Sequence, residues 1–279
     1  MNLNYLDEFK VIEIETYHGC NLNCWSCPNS RIEKHGELME EKVYFKILDD
    51  LKKHGFKGRI SPYDMNEPTL DKRLPDWIER TRKMFPNNQL YIGSNGIGID
   101  QEYVRMLLAR GLNQILITCY SEEVYNKFKS MEDNKTVRLL TIFDKDRNKI
   151  FMNRGGGTDT GADVLVKRIC EKGLKQVMVN YKGDVVFCCS DYFYTTVAGN
   201  VMEDDLYKLW NCEKFKRARE ALSKGERQKI ELCAKCNFLR TDDDIKKGEK
   251  AKREDIEVFE EEYQKDKFIS EAWRKNRKI

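Results

Sequence analysis

The sequence has no apolar run that approaches the roughly 18 residues needed to cross a membrane, which excludes a transmembrane helix. It also lacks an excess of charge of either sign, because 50 basic against 47 acidic residues leave a net charge of +3. This balance does not indicate a nucleic-acid or membrane partner. The first residues carry neither the basic nor the apolar segment of a signal peptide, so we expect a cytoplasmic protein.

Proline and glycine are too scarce, at five and 17 of 279 residues, for a collagen-like or low-complexity chain. Cysteine, in contrast, is abundant. The ten cysteines stand at positions 20, 24, 27, 119, 170, 188, 189, 212, 233 and 236. In a large chain without an export signal, clustered cysteines indicate metal ligands or catalytic thiols rather than disulfides.

The first half of the chain alternates predicted strands and helices, which is typical of βα units around a parallel sheet. We predict strands at 11–16, 59–63, 90–92, 114–118, 137–143 and 149–153, and helices at 38–54, 73–85, 101–110 and 122–131. Six strands favour an α/β fold with a partial (β/α)6 barrel over a complete eight-fold barrel.

A glycine-rich segment ends this pattern, and we expect three regions. Residues 1–157 form the partial barrel, and residues 158–240 form a small domain that holds six of the ten cysteines. A hairpin is predicted there, with Lys182-Gly183 as its turn, together with a helix around 214–223. Residues 241–279 are dominated by Asp, Glu and Lys and are expected to form a solvated helical tail.

The first cysteine cluster follows the first predicted strand, where βα folds hold their chemistry. Cys20, Cys24 and Cys27 can bind three irons of a [4Fe–4S] cluster and leave the fourth iron open to another ligand. The alternative is zinc, with His18 or His35 completing a Cys₃His site.

This CxxxCxxC pattern resembles the signature of the radical S-adenosylmethionine (radical SAM) superfamily. The resemblance implies that S-adenosylmethionine (AdoMet) binds the open iron and is cleaved to a 5′-deoxyadenosyl radical. It also implies an electron donor of the flavodoxin or ferredoxin type. Two later segments are similar to the cofactor-binding motifs of the superfamily. The similarity implies that AdoMet is bound by Asn66, Glu67, Ser94 and Asn95. The chain departs from the pattern at Ser26, where an aromatic residue is usual, while Trp25 stands one position early.

The second cluster combines Cys170 and Cys188 with the CxxC pair Cys233 and Cys236. The predicted hairpin turn at Gly183 returns Cys188 towards Cys170. The spacing resembles the SPASM and Twitch domains of radical SAM enzymes. With no cysteine after residue 236, it resembles the shorter Twitch type, with one fully ligated auxiliary [4Fe–4S] cluster. A Cys₄ zinc site is the alternative.

The whole pattern resembles the butirosin-type radical SAM dehydrogenases, which oxidise a secondary alcohol of an aminocyclitol. The matching segments are 24–30, 58–61, 153–156 and 199–200, with the auxiliary cysteines. The resemblance places Arg154 on the substrate, and an arginine at the end of a strand can donate bidentately to oxygens. Met65 and Gly93 stand where these enzymes carry tyrosines, so we expect a differently shaped pocket. We therefore do not expect the aminocyclitol of those enzymes itself to be the substrate. The resemblance implies a sugar-like or cyclitol-like small molecule.

Two other functions remain open. One is peptide modification or epimerisation, in which Cys119, at the end of the fourth predicted strand, donates a hydrogen atom to the substrate radical. The other is a non-enzymatic protein that holds zinc at both clusters. Apart from the alternative of hydrogen-atom donation, Cys119 is expected to be a buried packing residue, as is Cys189, and Cys212 is expected to be a cap-region residue.

Overall fold

A computed structural model describes residues 8–33, 36–142, 152–158 and 165–239 of the chain. The expected tail at 241–279, His35 and most of the strand predicted at 149–153 lie outside these residues. Ten strands are described: β1 (Val11–Ile14), β2 (Tyr17–His18), β3 (Glu37–Leu38), β4 (Arg59–Ser61), β5 (Tyr91–Ser94), β6 (Gln114–Cys119), β7 (Val137–Thr141), β8 (Gln176–Val179), β9 (Asp184–Val186) and β10 (Val197–Asn200).

The described part of the chain contains eight α-helices: α1 (Glu41–Lys53), α2 (Leu74–Met84), α3 (Gln101–Ala109), α4 (Glu122–Phe128), α5 (Glu171–Lys175), α6 (Leu206–Trp210), α7 (Glu213–Ser223) and α8 (Glu231–Lys235). None of these helices is both long and apolar enough to span a bilayer. The strands and helices predicted before residue 142 are observed, with ends that differ by at most three residues.

Parallel pairing builds the partial barrel. β1 pairs with β4, and β6 pairs with β5 on one side and β7 on the other. A single parallel bridge between Ile60 and Leu90 joins the two groups of strands. The helices cover the outside; the stacked rings of Tyr44 and Trp77, with centroids 4.2 Å apart, fill the layer between α1 and α2. This α/β arrangement agrees with the predicted fold class.

The C-terminal region shares the barrel's sheet. β8 pairs in parallel with the free side of β1, over the register Val11–Gln176 to Ile14–Val179. β9 and β10 extend the sheet by antiparallel pairing, which gives the order β10-β9-β8-β1-β4. The predicted hairpin is therefore present as β8 and β9, and Gly183 has the positive φ of 92° that its turn requires.

Substitution of Ile12 tests whether the two regions share one sheet, since this residue is completely buried in β1 between β4 and β8. Ile12→Ala should cost about 2 to 5 kcal/mol. Because one sheet joins the two regions, the thermal transitions of both should shift together. Calorimetry of the anaerobic holoprotein would measure this, with Leu140→Ala on β7 (40% exposed) as the control. Two separate transitions, of which only one moves, would contradict a common sheet.

Candidate functional site

A pocket of about 290 Å³ lies at the carboxyl ends of the parallel strands. The loop after β1 contributes the first cysteine cluster, and the loop after β4 contributes residues 63–67. Ser94 and Asn95 close the end of β5, and Thr118 and Tyr120 line the pocket at the end of β6. All four cofactor-binding residues expected from the sequence therefore meet in one pocket.

Cys20, Cys24 and Cys27 all line this pocket as partly exposed cysteines that form no disulfide. Burial, and then the neighbouring Cys27 and Cys20 thiols, raise the pKa of Cys24 to about 11. Three adjacent thiolates repel one another unless a cation offsets their charge, so the donor set fits a metal cluster.

His18 does not join the three cysteines in the pocket lining. Its ring stacks on Tyr181 with centroids 4.4 Å apart, and its Nδ1 lies 3.0 Å from Glu15 Oε1. His35 lies outside the described residues. The placement of His18 therefore does not favour the Cys₃His zinc alternative.

Glu67 organises the cofactor side of the pocket. Its Oε1 accepts hydrogen bonds from the amide and hydroxyl of Thr69 and from Ser94 Oγ. Its Oε2 accepts a 2.7 Å bond from the Asn95 amide. Because a carboxylate has about four acceptor positions on its two oxygens, Oε2 retains capacity for an ammonium donor. Glu67 thus joins the loop after β4 to the end of β5 and still offers an acceptor to the pocket.

Asn66 and Ser26 also line the pocket. Asn66 Oδ1 accepts a 3.0 Å bond from the Asp64 amide, while its buried Nδ2 meets no acceptor among the described residues. An orphaned donor of this kind fits a polar cofactor group such as a carboxylate. Trp25 is 48% exposed and is absent from the described lining, so it does not replace the aromatic residue missing at Ser26.

The second cluster surrounds a separate cavity lined by Cys170, Cys188, Cys233 and Cys236. Phe187, Leu222 and Phe238 supply apolar walls. Burial, the largest cause, raises the pKa of Cys233, whereas the buried Arg227 lowers it. Four converging thiols, with Arg227 and Lys172 beside them, fit a fully ligated cluster of net negative charge.

Arg154 reaches the pocket from a strained backbone position. It has φ of 51°, and Gly155 and Gly156 follow with φ of 63° and 83°. Asn153 fixes this turn: its amide donates to Asn237 Oδ1 at 2.7 Å, and Asn237 donates back to Asn153 Oδ1 at 3.0 Å. Within the described residues, the Arg154 guanidinium lines the pocket without an ion pair. The guanidinium is therefore available to a ligand. The turn that carries it is hydrogen-bonded, through Asn153, to Asn237, the residue that follows Cys236.

Cys119 lies in the core, as the packing interpretation expects, and does not face the pocket as its alternative role of hydrogen-atom donor requires. Leu116 and Thr118 line the pocket, so alternation along β6 turns Cys119 to the opposite face. Cys119 is completely buried in the hydrophobic core, with Sγ 3.8 Å from the carbonyl of Ile117. It is poorly placed to donate a hydrogen atom. Cys189, expected only to pack, lines the pocket instead.

Glu13, Asp64 and Cys189 form a largely buried polar group that was not expected from the sequence, with their ligand atoms within 4.8 Å of one another. Lys172 lines both this pocket and the auxiliary cavity, with Nζ 3.9 Å from Cys189 Sγ. Nothing in the sequence marks this polar group, because Glu13 alternates with the core residues Ile12 and Ile14 as a solvent-facing acid of a half-buried strand would.

Tyr63 explains how the pocket accommodates glycine at position 93. A Cβ on Gly93 would lie 2.9 Å from the Tyr63 ring, closer than such atoms approach in proteins. The aromatic surface on this side of the pocket therefore comes from Tyr63.

Comparisons with known proteins agree with the two cysteine sites. Residues 14–121 match the radical SAM superfamily, and residues 170–237 match the SPASM iron–sulfur cluster-binding domain. These domains imply AdoMet and [4Fe–4S] clusters as cofactors. The chain is 28% identical over 238 residues to the S-adenosyl-L-methionine-dependent 2-deoxy-scyllo-inosamine dehydrogenase of Niallia circulans, covering 82% of this chain and 93% of the relative.

Solved structures give the same picture. BtrN in complex with AdoMet and 2-DOIA superposes with a TM-score of 0.74 at 27% identity, covering 83% of this chain and 94% of BtrN. The AdoMet-bound structure of anSMEcpe matches with a TM-score of 0.50 at 14% identity, over 95% and 94% of the two chains. The latter similarity concerns the fold alone.

The metal content tests the assignment of seven cysteines to two clusters. Anaerobically reconstituted protein should bind about eight irons and eight sulfides. Replacing Cys20, Cys24 and Cys27 together by alanine should remove about half of the iron. Cys212→Ala, outside both described cavities, is the matched control. Near-stoichiometric zinc with no iron would contradict the assignment.

Glu67→Gln tests the positioning role of Glu67. The amide NH₂ of glutamine cannot accept the bonds that one carboxylate oxygen receives, so the segment at Ser94 and Asn95 should lose its anchor. We expect AdoMet affinity to fall by about tenfold or more, which calorimetric titration of the reconstituted protein would measure. Glu79→Gln, at a surface position, should leave the affinity unchanged. Unaltered AdoMet binding by Glu67→Gln would remove Glu67 from the site.

Proposed function

We propose that this chain, which combines a radical SAM domain with a SPASM iron–sulfur domain, oxidises a secondary alcohol of a sugar-like or aminocyclitol-like metabolite to a ketone. The similarity to a 2-deoxy-scyllo-inosamine dehydrogenase over most of both chains supports this reaction. The observation that carries the proposal is the pocket itself, in which Arg154 is available to substrate oxygens beside a separate four-thiol site.

The residues assigned to the cofactors follow from the two cavities. Cys20, Cys24 and Cys27 would hold the AdoMet-binding cluster, and Asn66, Glu67, Ser94 and Asn95 would contact AdoMet. Cys170, Cys188, Cys233 and Cys236 would hold the auxiliary cluster. When bound, these groups supply hydrogen-atom abstraction and an electron acceptor. We further propose a cytoplasmic location and an electron donor of the flavodoxin or ferredoxin type.

Arg154 would orient the substrate. Its guanidinium keeps its charge at any physiological pH and presents several donors in a fixed plane. Two of them can hold the oxygen of the reacting alcohol and that of its neighbour. The positive charge also favours the alkoxide form of the alcohol, so Arg154 assists loss of the hydroxyl proton without itself acting as the base.

The closeness of the two cavities distinguishes oxidation from redox-neutral chemistry. Cys188 lines the auxiliary cavity, while the next residue, Cys189, lines the substrate pocket. Oxidation of an alcohol removes two electrons: one would leave with the abstracted hydrogen atom, and the other, after the hydroxyl proton is lost, would pass to an auxiliary cluster held by the neighbouring four cysteines. An epimerase needs no such acceptor in its product-forming step.

Epimerisation is the second candidate, because a thiol does line the pocket. That thiol belongs to Cys189, whereas Cys119 lies in the core. If the enzyme returned a hydrogen atom to the substrate, Cys189 would therefore be its source.

Product analysis distinguishes the two reactions. With AdoMet, a reductant and 2-deoxy-scyllo-inosamine under anaerobic conditions, mass spectrometry should detect a ketone lighter by two hydrogen atoms. Arg154→Gln should lower kcat/KM roughly 10- to 100-fold, since it removes charged hydrogen bonds to the substrate. Arg80→Gln removes the same charge from an exposed surface pair and is the control.

Epimerisation would give a different outcome. A product of unchanged composition that gains deuterium in D₂O, and that disappears with Cys189→Ala but not with Cys119→Ala, would replace the dehydrogenase proposal. Ketone formation that survives Cys189→Ala supports it.

A further inference from the structure

The inner wall of the substrate pocket carries an acidic side chain whose hydrogen bonding is incomplete. Asp64 follows β4, and its backbone amide is held by Asn66 Oδ1 at 3.0 Å. Its Oδ2 atom is buried and receives no hydrogen bond from any residue that the structure describes. A buried carboxylate oxygen without a donor is costly, which indicates that a ligand supplies one.

The two neighbours of Asp64 already have partners. Glu13 accepts from Arg59 Nη2 at 3.3 Å and from the Gln176 side-chain amide. Cys189 Sγ accepts a hydrogen bond from the Lys172 ammonium, whose Nζ lies 3.9 Å away. Asp64 therefore differs from both: it faces another carboxyl group, Glu13, which is a donor only when protonated.

We infer that Asp64 binds a protonated amine of the substrate and thereby selects amine-bearing polyols over neutral ones. Burial, and then the adjacent Glu13, raise the pKa of Asp64. An ammonium group supplies the missing donor together with a positive charge that favours the ionised form of Asp64, whereas a hydroxyl supplies only the donor. A divalent metal ion on Glu13, Asp64 and Cys189 fits less well. Arg59 and Lys172 already contact two of these three groups and would repel it.

Arg154 lines the same pocket and gives the substrate a defined orientation. Its guanidinium attracts oxygens and repels an ammonium, while Asp64 attracts the ammonium. A ring with hydroxyls on one side and an amine on another would therefore bind in one orientation. This inference rests on the proposed function for the kind of substrate, and it adds the residue that determines charge selectivity.

Equilibrium binding tests Asp64 without any turnover. Reconstituted holoenzyme with AdoMet and no reductant is titrated calorimetrically with 2-deoxy-scyllo-inosamine, and with the deoxyinositol that has a hydroxyl in place of the amine. Wild type should bind the amine about tenfold more tightly or better. Asp64→Asn should abolish this preference and leave the affinity for the neutral ligand within about twofold. Asp76→Asn, an exposed acid on α2, should behave as wild type.

Several outcomes would overturn the inference. These are equal affinity of wild type for both ligands, a preference retained by Asp64→Asn, and Asp64-dependent binding of Mn²⁺ or Zn²⁺ beyond the cluster metals. If Asp64→Asn fails to fold, as judged by circular dichroism and iron content, Asp64→Ser takes its place, and the wild-type comparison still decides charge selectivity. Adding the reductant separates the two proposals. A ketone without amine preference refutes the role of Asp64 alone, whereas amine preference without a ketone refutes the proposed oxidation alone.

Discussion

The parallel pairing of β1 with both β4 and β8 is the constraint on which the arrangement of the site depends. β1 delivers the first three cysteines from its carboxyl end, and β8 leads into the hairpin that delivers Cys188. Because β9 runs antiparallel to β8, the hairpin returns Cys188 to the amino end of β8, towards Cys170, while the first three cysteines follow the carboxyl end of β1. The two thiol sites, although separated by more than half of the chain, are held at a fixed distance by backbone hydrogen bonds.

Buried hydrogen bonds then fix the individual loops. Glu67 joins the loop after β4 to the end of β5, and the reciprocal pair of Asn153 and Asn237 joins the turn of Arg154 to the auxiliary cysteines. Each of these residues uses most of its polar atoms on the protein itself. The groups directed to a ligand are thereby held in place before it binds, which reduces the reorganisation that binding would otherwise require.

The cysteine sites could be predicted because metal sites depend on residue type and spacing, and both can be read directly from the sequence. The elements of the barrel could be predicted because their apolar periodicity is strong. Sequence reasoning left Cys119 open between packing and the pocket and assigned Cys189 only to packing, since the face of a strand or loop that meets the pocket depends on a partner far along the chain. Asp64 and Lys172 were missed for the same reason: an acid or a lysine near a predicted loop is ordinary until the fold encloses it.

Successive residues of one segment alternate between the two cavities: Cys188 and Ser190 line the auxiliary cavity, and Cys189 lines the substrate pocket. Inserting or deleting one residue here would exchange the two sulfurs between cavities without changing the composition of the segment. Insertions and deletions at Cys188 and Cys189 should therefore be tolerated less well than substitutions. Natural diversification of the pocket should proceed by substitution at fixed length, with insertions confined to loops remote from this segment.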